Sequence, residues 1–327
     1  MASLHSKLRI LLLFFSLAIL AMLLYVSDVT RVFAIISGAN PYYVFPALLI
    51  SFSLMPVRVF RWKVLLEKIR IHVPFRKLFP TYMAGMFVSN LTPGKVGEPI
   101  KSYLLKKTAG VSISKSLPSV FMEKIFDVFS TVTLSFMGIA LVTLPEKVGT
   151  IILPIIFLYV FAVTAALYVS ARKDRIYFIS RKMLRLFGWL PFVRRLDKPL
   201  ESFAEKFNAS LLRYKDARVS LKNFMLSMFL WAAEGVILYL CFLAVGIEID
   251  ALVVISFFSI AVLIGVTSLL PGGLGSSEVV MVLLFTATYA LPIPVVTAAV
   301  FMARFFSFWV NVITGALCMG SLKLRLG

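Results

Sequence analysis

Residues 89–98 read SNLTPGKVGE, and residues 267–278 read TSLLPGGLGSSE. Both stretches contain Pro-Gly-x-aliphatic-Gly followed by a glutamate. Proline removes a backbone donor and glycine adds conformational freedom, so neither stretch continues an α-helix. Because each stretch lies between apolar runs, the sequence predicts two helical segments, one broken at Pro93 and the other at Pro271.

The similarity between the two segments continues downstream. Residues 121–126 read FMEKIF, and residues 301–306 read FMARFF. Each contains a base, Lys124 or Arg304, that lies 26 residues after the glutamate of its broken stretch. A break, an acid and a base that recur in register indicate an internal duplication. The predicted repeats span residues 78–144 and 251–322.

The composition excludes an ordinary soluble protein. The 327 residues are 60% hydrophobic and 15% charged, whereas soluble domains carry about 25% charged residues. Lys and Arg outnumber Asp and Glu by 34 to 15, but this composition leaves little soluble surface for a basic nucleic-acid-binding face. The two cysteines lie in apolar runs, and there are only two histidines. We therefore expect one membrane domain, residues 1–327, with no enzymatic activity, disulfide, metal or cofactor.

The apolar runs predict an all-α polytopic membrane protein with about six full transmembrane helices, since about 20 apolar residues cross a bilayer. The segment at residues 78–107 is too short before its break and is predicted to be a re-entrant hairpin. Three spans separate the two breaks, so the second hairpin should enter from the opposite face, in an inverted repeat. Alternatively, residues 251–270 and 279–291 both cross fully. The predicted spans are residues 10–27, 32–57, 118–144, 149–171, 223–246 and 305–322.

The distribution of Lys and Arg predicts the orientation. These residues are concentrated at both termini, at residues 58–77 and at residues 172–222, which the positive-inside rule assigns to the cytoplasm of a cell-membrane protein. The 172–222 loop mixes basic and apolar residues, which favours amphipathic helices on an anionic leaflet over a solvated linker. Arg58, Arg61 and Lys63 are predicted to anchor the end of the second span at the headgroups, or to receive lipid phosphate.

Several ionisable residues fall at membrane depth, where each costs ~2.5–3.5 kcal/mol and marks function by default. One interpretation makes them structural clasps, with Lys124 neutralising Glu98 or Asp127, and Arg304 neutralising Glu278. The other makes them a polar cavity for a charged lipid headgroup. Glu234 is either a lone neutral acid or part of a proton path. The candidate substrate-binding residues are Asn90, Lys95, Glu98, Lys101, Glu123, Lys124, Asp127, Glu278 and Arg304. The candidate gating residues are Pro93, Gly94, Gly97, Pro271, Gly272, Gly273 and Gly275.

These blocks resemble the lysylphosphatidylglycerol synthase transmembrane family, also called flippase-like domain proteins. The resemblance rests on residues 90–98 (NLTPGKVGE), 123–127 (EKIFD) and 270–275 (LPGGLG), with Glu278 and Arg304. It extends over nearly the whole chain and includes the order and spacing of the blocks.

The resemblance implies a multi-pass domain that moves a charged or lipid-linked substrate between leaflets. In the bacterial multiple peptide resistance factors, that substrate is aminoacylated phosphatidylglycerol. Candidate partners are therefore anionic or aminoacylated phospholipids and polyprenyl-linked glycans, and no nucleic acid. Some relatives accompany glycosyltransferases, which leaves a membrane component or partner of such a transferase as the alternative function, while the oligomeric state stays open.

This chain departs from the family pattern in two respects. Family members typically have arginine where this chain has Lys95 and Lys124, which weakens bidentate phosphate recognition. The synthase members carry a soluble aminoacyl-transferase domain after the membrane part, and this sequence ends at Gly327. We therefore expect only the flippase-like function.

Overall fold

The computed structural model describes residues 2–95, 97–139 and 209–322, with isolated positions between 149 and 207. These parts of the chain are helical and contain no strand. A short 3₁₀ turn, Leu212–Lys215, precedes α7, and a π-helical turn, Phe305–Trp309, joins α10 to α11. The helices are α1 (Ala2–Val26), α2 (Val29–Ser37), α3 (Pro41–Lys68), α4 (Phe75–Asn90), α5 (Ile100–Ala109), α6 (Ile113–Ile139), α7 (Ala217–Ala244), α8 (Ala251–Thr267), α9 (Ser276–Tyr289), α10 (Ile293–Arg304) and α11 (Val310–Ser321).

Three helical segments of the described chain are long and apolar enough to cross a membrane by themselves: Pro41–Lys68, Ala217–Ala244 and Ile293–Ser321. Helices α1 and α2 meet this criterion only together, and the chain bends by 82° between them. Spans of this length and hydropathy fit a hydrocarbon core about 30 Å thick. The chain is therefore an all-α protein embedded in a membrane.

The predicted bounds of two spans are wrong. The span predicted at residues 32–57 is divided, because α2 ends at Ser37 and Asn40 caps a new helix by accepting a hydrogen bond from Tyr42 N at 3.0 Å. Helix α3 then continues to Lys68 and incorporates basic residues that were expected to lie at its end. The last span begins at Ile293, not at residue 305, because Arg304 is accommodated inside the continuous helix.

The predicted span at residues 149–171 falls mostly outside the described residues, as does most of the 172–222 loop. The described end of that loop includes the 3₁₀ turn and the start of α7. Helix α7 therefore begins at Ala217, six residues before the predicted span at 223.

Each predicted break separates two helices that pack against each other in opposite directions. In the first pair, Thr81 of α4 and Thr108 of α5 are 3.1 Å apart at their hydroxyls. In the second pair, Ser268 at the end of α8 and Ser276 at the start of α9 are 2.8 Å apart. Residues 91–99 and 268–275 form the two breaks, so both glycine-rich stretches lie at the tips of helical hairpins.

The two hairpin tips meet. Pro93 and Pro271 form an antiparallel backbone bridge. Helix α4 packs on α11, α6 packs on α8, and α3 packs on α7. The α4–α11 contact is very close at Gly315, where a Cβ atom would lie 2.5 Å from Met83 O. This packing brings the polar residues near both breaks next to the charged positions of α3, α6 and α7.

Candidate functional site

Six charged side chains around α6 form one connected set of ion pairs, which we call the α6 network. Arg61 Nη2 donates to Glu123 Oε1 at 2.8 Å, and Arg61 also pairs with Asp127. Lys101 Nζ lies 2.7 Å from Glu123 Oε2 and 3.9 Å from Glu98 Oε2. The sixth member is Lys124, whose Nζ donates to Glu98 Oε1 at 2.9 Å.

The helical geometry of α6 explains why this network forms. Glu123 and Asp127 are four residues apart and share one face, and both reach Arg61 of α3. Neutral groups complete the shell: Tyr82 Oη donates to Glu123 Oε1 at 2.6 Å, and Trp231 Nε1 donates to Asp127 Oδ1 at 3.0 Å. Three cations and three anions therefore balance inside the protein.

A second polar region is a cavity of about 60 Å³, which we call the break cavity. Both hairpins contribute to its wall, together with α3, α7 and the π-helical turn. Its lining residues are Arg58, Met86, Asn90, Lys95, Trp231, Glu234, Phe258, Val262, Gly265, Val266, Gly272, Gly273, Ser277, Arg304, Ser307 and Phe308.

The break cavity has an excess of positive charge. Arg58 pairs with Glu234, and Arg304 pairs with Glu278. The third base, half-buried Lys95, has no ion pair with any described residue; its Nζ lies 5.9 Å from the ring centroid of Trp231. The lining thus has three basic side chains and one acidic one, Glu234, while a second acid, Glu278, lies behind Arg304.

Glu278 is held by backbone as well as by Arg304. Its Oε2 accepts from Gly275 N at 2.8 Å and from Ser277 Oγ at 3.0 Å. These bonds satisfy donors at the start of α9, which a helix cannot satisfy internally. Arg304 also donates to Gly272 O at 3.2 Å, so one acid and one base connect the second break to α9 and α10.

Gly272 requires glycine for two reasons. Its φ is +60°, a left-handed conformation that L side chains disfavour. A Cβ atom would also lie 2.4 Å from Phe308 Cε2 and 3.1 Å from Asn90 O. The π-helical turn that carries Phe308 follows Arg304 directly, and such turns frequently occur at functional sites.

The predicted substrate-binding residues fall into two groups. Asn90, Lys95 and Arg304 line the break cavity, with Glu278 behind Arg304. Glu98, Lys101, Glu123, Lys124 and Asp127 belong to the α6 network. The expected Lys124–Glu98 and Arg304–Glu278 pairs are confirmed. Lys95 and Trp231 also line a gap of about 20 Å³ toward Lys124 and Asp127, so the two regions are neighbours.

The predicted gating residues lie at or beside the meeting of the two tips. A Cβ atom at Gly94 would lie only 2.9 Å from Leu269 Cδ2, and one at Gly273 would lie 3.1 Å from the backbone of Gly265. Gly97 donates its N–H to Thr92 Oγ1 at 2.8 Å within the first break. Gly275 is different, because it packs against Ile19 of α1 rather than against the other tip.

Two expectations about arginine and glutamate are wrong. Arg58 and Arg61 do not end a span as headgroup anchors, because α3 continues past them and both pair with acids, Arg61 fully buried and Arg58 with 12% of its side chain exposed. Glu234 is not a lone acid, since Arg58 pairs with it. The missed signal was the lack of any helix-breaking residue between Val57 and Lys68, which allows α3 to carry these arginines inward.

The fold and the paired charges define an all-α membrane protein in which two broken helical hairpins enclose a charged cavity. Comparison with known families agrees. Residues 13–315 match the model described as the lysylphosphatidylglycerol synthase TM region. The chain therefore belongs to this family.

Relatives of known sequence are similar over most of the chain. A UPF0104 membrane protein of Methanothermobacter thermautotrophicus is 30% identical over 83% of this chain and 82% of its own length. A UPF0104 membrane protein of Methanocaldococcus jannaschii is 27% identical over 98% and 96%. The glycosyltransferase AglD of Haloferax volcanii is 26% identical over 88% of this chain but only 49% of its own length.

Proposed function

We propose that this protein moves a lipid or lipid-linked molecule between the leaflets of a membrane, with the break cavity as the headgroup site. The observation that carries the proposal is the contact of two broken hairpins at Pro93 and Pro271, beside a cavity lined from both. Half-helix ends that meet at a polar site are the architecture of alternating-access carriers. Non-helical backbone at membrane depth also requires such an enclosed polar setting.

The proposed topology has six full spans and two hairpins inserted from opposite faces, with both termini in the cytoplasm. Helices α4 and α8 have 16 and 17 residues, and α5 and α9 have 10 and 14, fewer than the roughly 20 that cross a bilayer. The excess of Lys and Arg at the termini and in residues 58–77 and 172–222 supports this orientation. Full crossing by α8 and α9 is the alternative.

The proposed mechanism needs no catalytic residue. Lys95 and Arg304 would contact the headgroup, Asn90 would contribute its amide, and the breaks would open and close access to the cavity. The α6 network would hold the first hairpin on α3 and α6 through its internal ion pairs. Because each hairpin contributes to the cavity wall, a movement of one hairpin against the other changes which side reaches the headgroup.

The test is reconstitution into liposomes with a fluorescently labelled phospholipid. A membrane-impermeant reductant then bleaches the outer leaflet. If the proposal is correct, bleaching proceeds to the inner-leaflet label only in vesicles that contain the protein. Arg304→Gln should abolish this movement in protein that remains folded, whereas the exposed Lys106→Gln should not. Headgroup turnover without movement, with or without a divalent metal, would overturn the proposal.

A second candidate is a membrane component of a glycosyltransferase that acts on lipid-linked sugars. The similarity to AglD over about half of that protein favours it. The test is to add a labelled sugar nucleotide, a polyprenyl phosphate and a soluble transferase to the same vesicles. This candidate requires sugar transfer that depends on the protein, and transfer at the same rate in empty vesicles would exclude it.

A further inference from the structure

The charge and volume of the break cavity indicate which class of lipid headgroup it binds. We propose that the cavity binds a single phosphate group of an anionic phospholipid, with the Lys95 ammonium as its principal partner. This inference rests on the proposed function in taking the break cavity as the headgroup site. It goes further by naming the group that is recognised and by ranking it above diphosphate-linked and aminoacylated headgroups.

The cavity carries an excess of positive charge. Arg58 and Arg304 each have an acidic partner, but Lys95 has none among the described residues. A half-buried cation without an ion pair is incompletely compensated where the surroundings are of low dielectric. An anion that enters the cavity beside Lys95 removes this excess of one positive charge.

The cavity also supplies hydrogen-bond donors that have no partner. Arg58 Nε and Ser307 Oγ are buried and have no hydrogen-bond partner in the described structure. Both side chains line the break cavity with Lys95. An N–H, a hydroxyl and an ammonium suit the several acceptor oxygens of a phosphate, and charge-assisted bonds of this kind are the strong ones.

The volume of the cavity also fits a single phosphate group. A buried water needs roughly 10–15 Å³ of such space, so a cavity of about 60 Å³ holds about four to six waters. That volume is comparable to one phosphate group with its five heavy atoms. A diphosphate is nearly twice as large and carries more charge than the excess of one, so the cavity favours a single phosphate over a diphosphate-linked lipid.

The charges of the cavity also disfavour the headgroup of an aminoacylated lipid. An ammonium headgroup needs an acidic partner in the cavity. Glu234 and Glu278 are already paired with Arg58 and Arg304 in the described structure. The cavity therefore offers a spare cation and no spare carboxylate, which favours an anionic headgroup over a lysyl-bearing one.

The experiment measures lipid binding to the purified full-length protein in detergent by native mass spectrometry. The probes are phosphatidylglycerol, lysyl-phosphatidylglycerol and diacylglycerol, which lacks the phosphate. Phosphatidylglycerol should bind most tightly. Lys95→Gln should weaken its binding roughly ten- to hundredfold, the value of a hydrogen bond to a charged group. Ser307→Ala should weaken it less, roughly two- to tenfold.

Two controls keep the result interpretable. Lys95→Arg retains the charge and should restore most of the binding, whereas Lys106→Gln removes an exposed charge and should change nothing. Melting temperature and size-exclusion profiles establish that each variant is folded. If Lys95→Gln fails to fold, Ser307→Ala and Lys95→Arg still test the site.

An excess of inorganic phosphate distinguishes the two sources of the phosphate group. Competition with phosphatidylglycerol supports the proposal for a lipid phosphate. Binding of inorganic phosphate without binding of any lipid overturns the lipid and leaves the free anion as the ligand. Equal binding of diacylglycerol, tighter binding of the lysyl lipid, or no effect of Lys95→Gln overturns the proposal. The assay has no leaflets, so loss of translocation with binding intact overturns only the proposed function.

Discussion

The α6 network and the break cavity contain the same types of charged residue, but their charges are balanced differently. In the network, three bases and three acids pair with one another. At the cavity, two of the three bases pair with an acid, Arg58 with Glu234 and Arg304 with Glu278, and Lys95 has no ion pair in the described structure. Because an unpaired charge shielded from water is costly, we infer that the network stabilises the fold, and the unpaired Lys95 makes the cavity a candidate binding site.

The two regions also differ in their space and packing. The network consists mainly of side chains carried by helices. Those of Arg61, Lys101 and Glu123 are each 5% exposed or less. The cavity retains about 60 Å³ beside backbone that is not helical. Charged residues at membrane depth therefore have two different roles in this protein. Where they are paired they hold helices together, and where one is unpaired they mark a candidate binding site.

The largest expected effect comes from breaking the network. Arg61→Met leaves Glu123 and Asp127 without their shared cation, which should cost about 3–5 kcal/mol as for other broken buried pairs. We expect little monodisperse protein and a clear fall in melting temperature, measured in detergent by size exclusion and thermal unfolding.

The matched control is Lys63→Met on the same helix. Lys63 is one-third exposed, and among the described residues it pairs only with Glu67, at 3.6 Å; exposed pairs contribute about 0–1 kcal/mol. Arg61→Met with normal yield and stability, combined with lost translocation, would show that the network serves function rather than the fold.

The second prediction tests the meeting of the hairpin tips. In Gly272→Ala the new methyl group collides with Phe308 and Asn90 O, and the residue also keeps a left-handed φ. Overpacking of about 1–3 kcal/mol therefore adds to a backbone cost of about 1–2 kcal/mol. Gly246 also has a left-handed φ, +80°, but apart from its chain neighbours no atom of the described residues lies within 4 Å of its Cβ position.

Gly246→Ala is therefore the matched control and should lose only the backbone contribution in thermal unfolding. Gly272→Ala should lose more and should also slow translocation. The double variant with Phe308→Leu should recover part of the stability. Equal losses for the two alanine variants would mean that the tips do not pack as closely as the structure indicates.

The third prediction changes the charge balance of the cavity. Glu278→Gln keeps an oxygen acceptor for Gly275 N but removes the counter-charge of Arg304, so the excess rises from one charge to two. We expect a loss of about 3 kcal/mol, at the low end for a broken buried pair because Arg304 keeps its hydrogen bond to Gly272 O, and the variant should still fold. It should bind phosphatidylglycerol more tightly in the mass-spectrometric assay.

Glu248 is exposed in the described structure, and Glu248→Gln supplies the control with the same chemical change. Weaker lipid binding by Glu278→Gln would show that Glu278 contributes to the headgroup site directly. That result would contradict the distinction between a positively charged cavity and a balanced network.

The sequence predicts the helix breaks and two of the ion pairs because these depend on local signals. Proline and glycine end helices wherever they occur in this density, and the 26-residue interval places Lys124 and Arg304 on the glutamates. The bounds of α3 were missed because a hydropathy run stops at its first charge. A membrane helix can continue past Arg58 and Arg61 when other helices supply acidic partners, and those partners lie 62 to 176 residues away in sequence.

The division of the predicted site into two regions also required the structure. Asn90, Lys95 and Glu98 lie within nine residues of one another in sequence. Asn90 and Lys95 face the break cavity, while Glu98 turns to Lys124 and Lys101. Because the chain in the break is not helical, no periodicity in the sequence assigns these side chains to one side or the other.

The smallest expected effect tests whether burial, rather than pairing alone, gives the network its strength. Asp216 is an exposed acid that caps α7 through Arg218 N at 3.0 Å and lies 2.6 Å from Lys68 Nζ. The hydrogen bond from Lys68 lowers the pKa of Asp216 below its ordinary value of 3.8. A lowered pKa in the folded state stabilises the protein above pH 3.8, and this contribution is lost as the pH falls through the folded-state value.

Asp216→Asn keeps the cap acceptor but removes the charge, so it should lower the melting temperature slightly near neutral pH. The difference from wild type should shrink as the pH falls below 3.8, where wild-type Asp216 also becomes neutral. Added to Lys68→Gln, the substitution should have almost no further effect, because the pair is already broken. A loss as large as that of Arg61→Met would show that an exposed ion pair contributes as much as the buried network, and the inferred role of burial would be wrong.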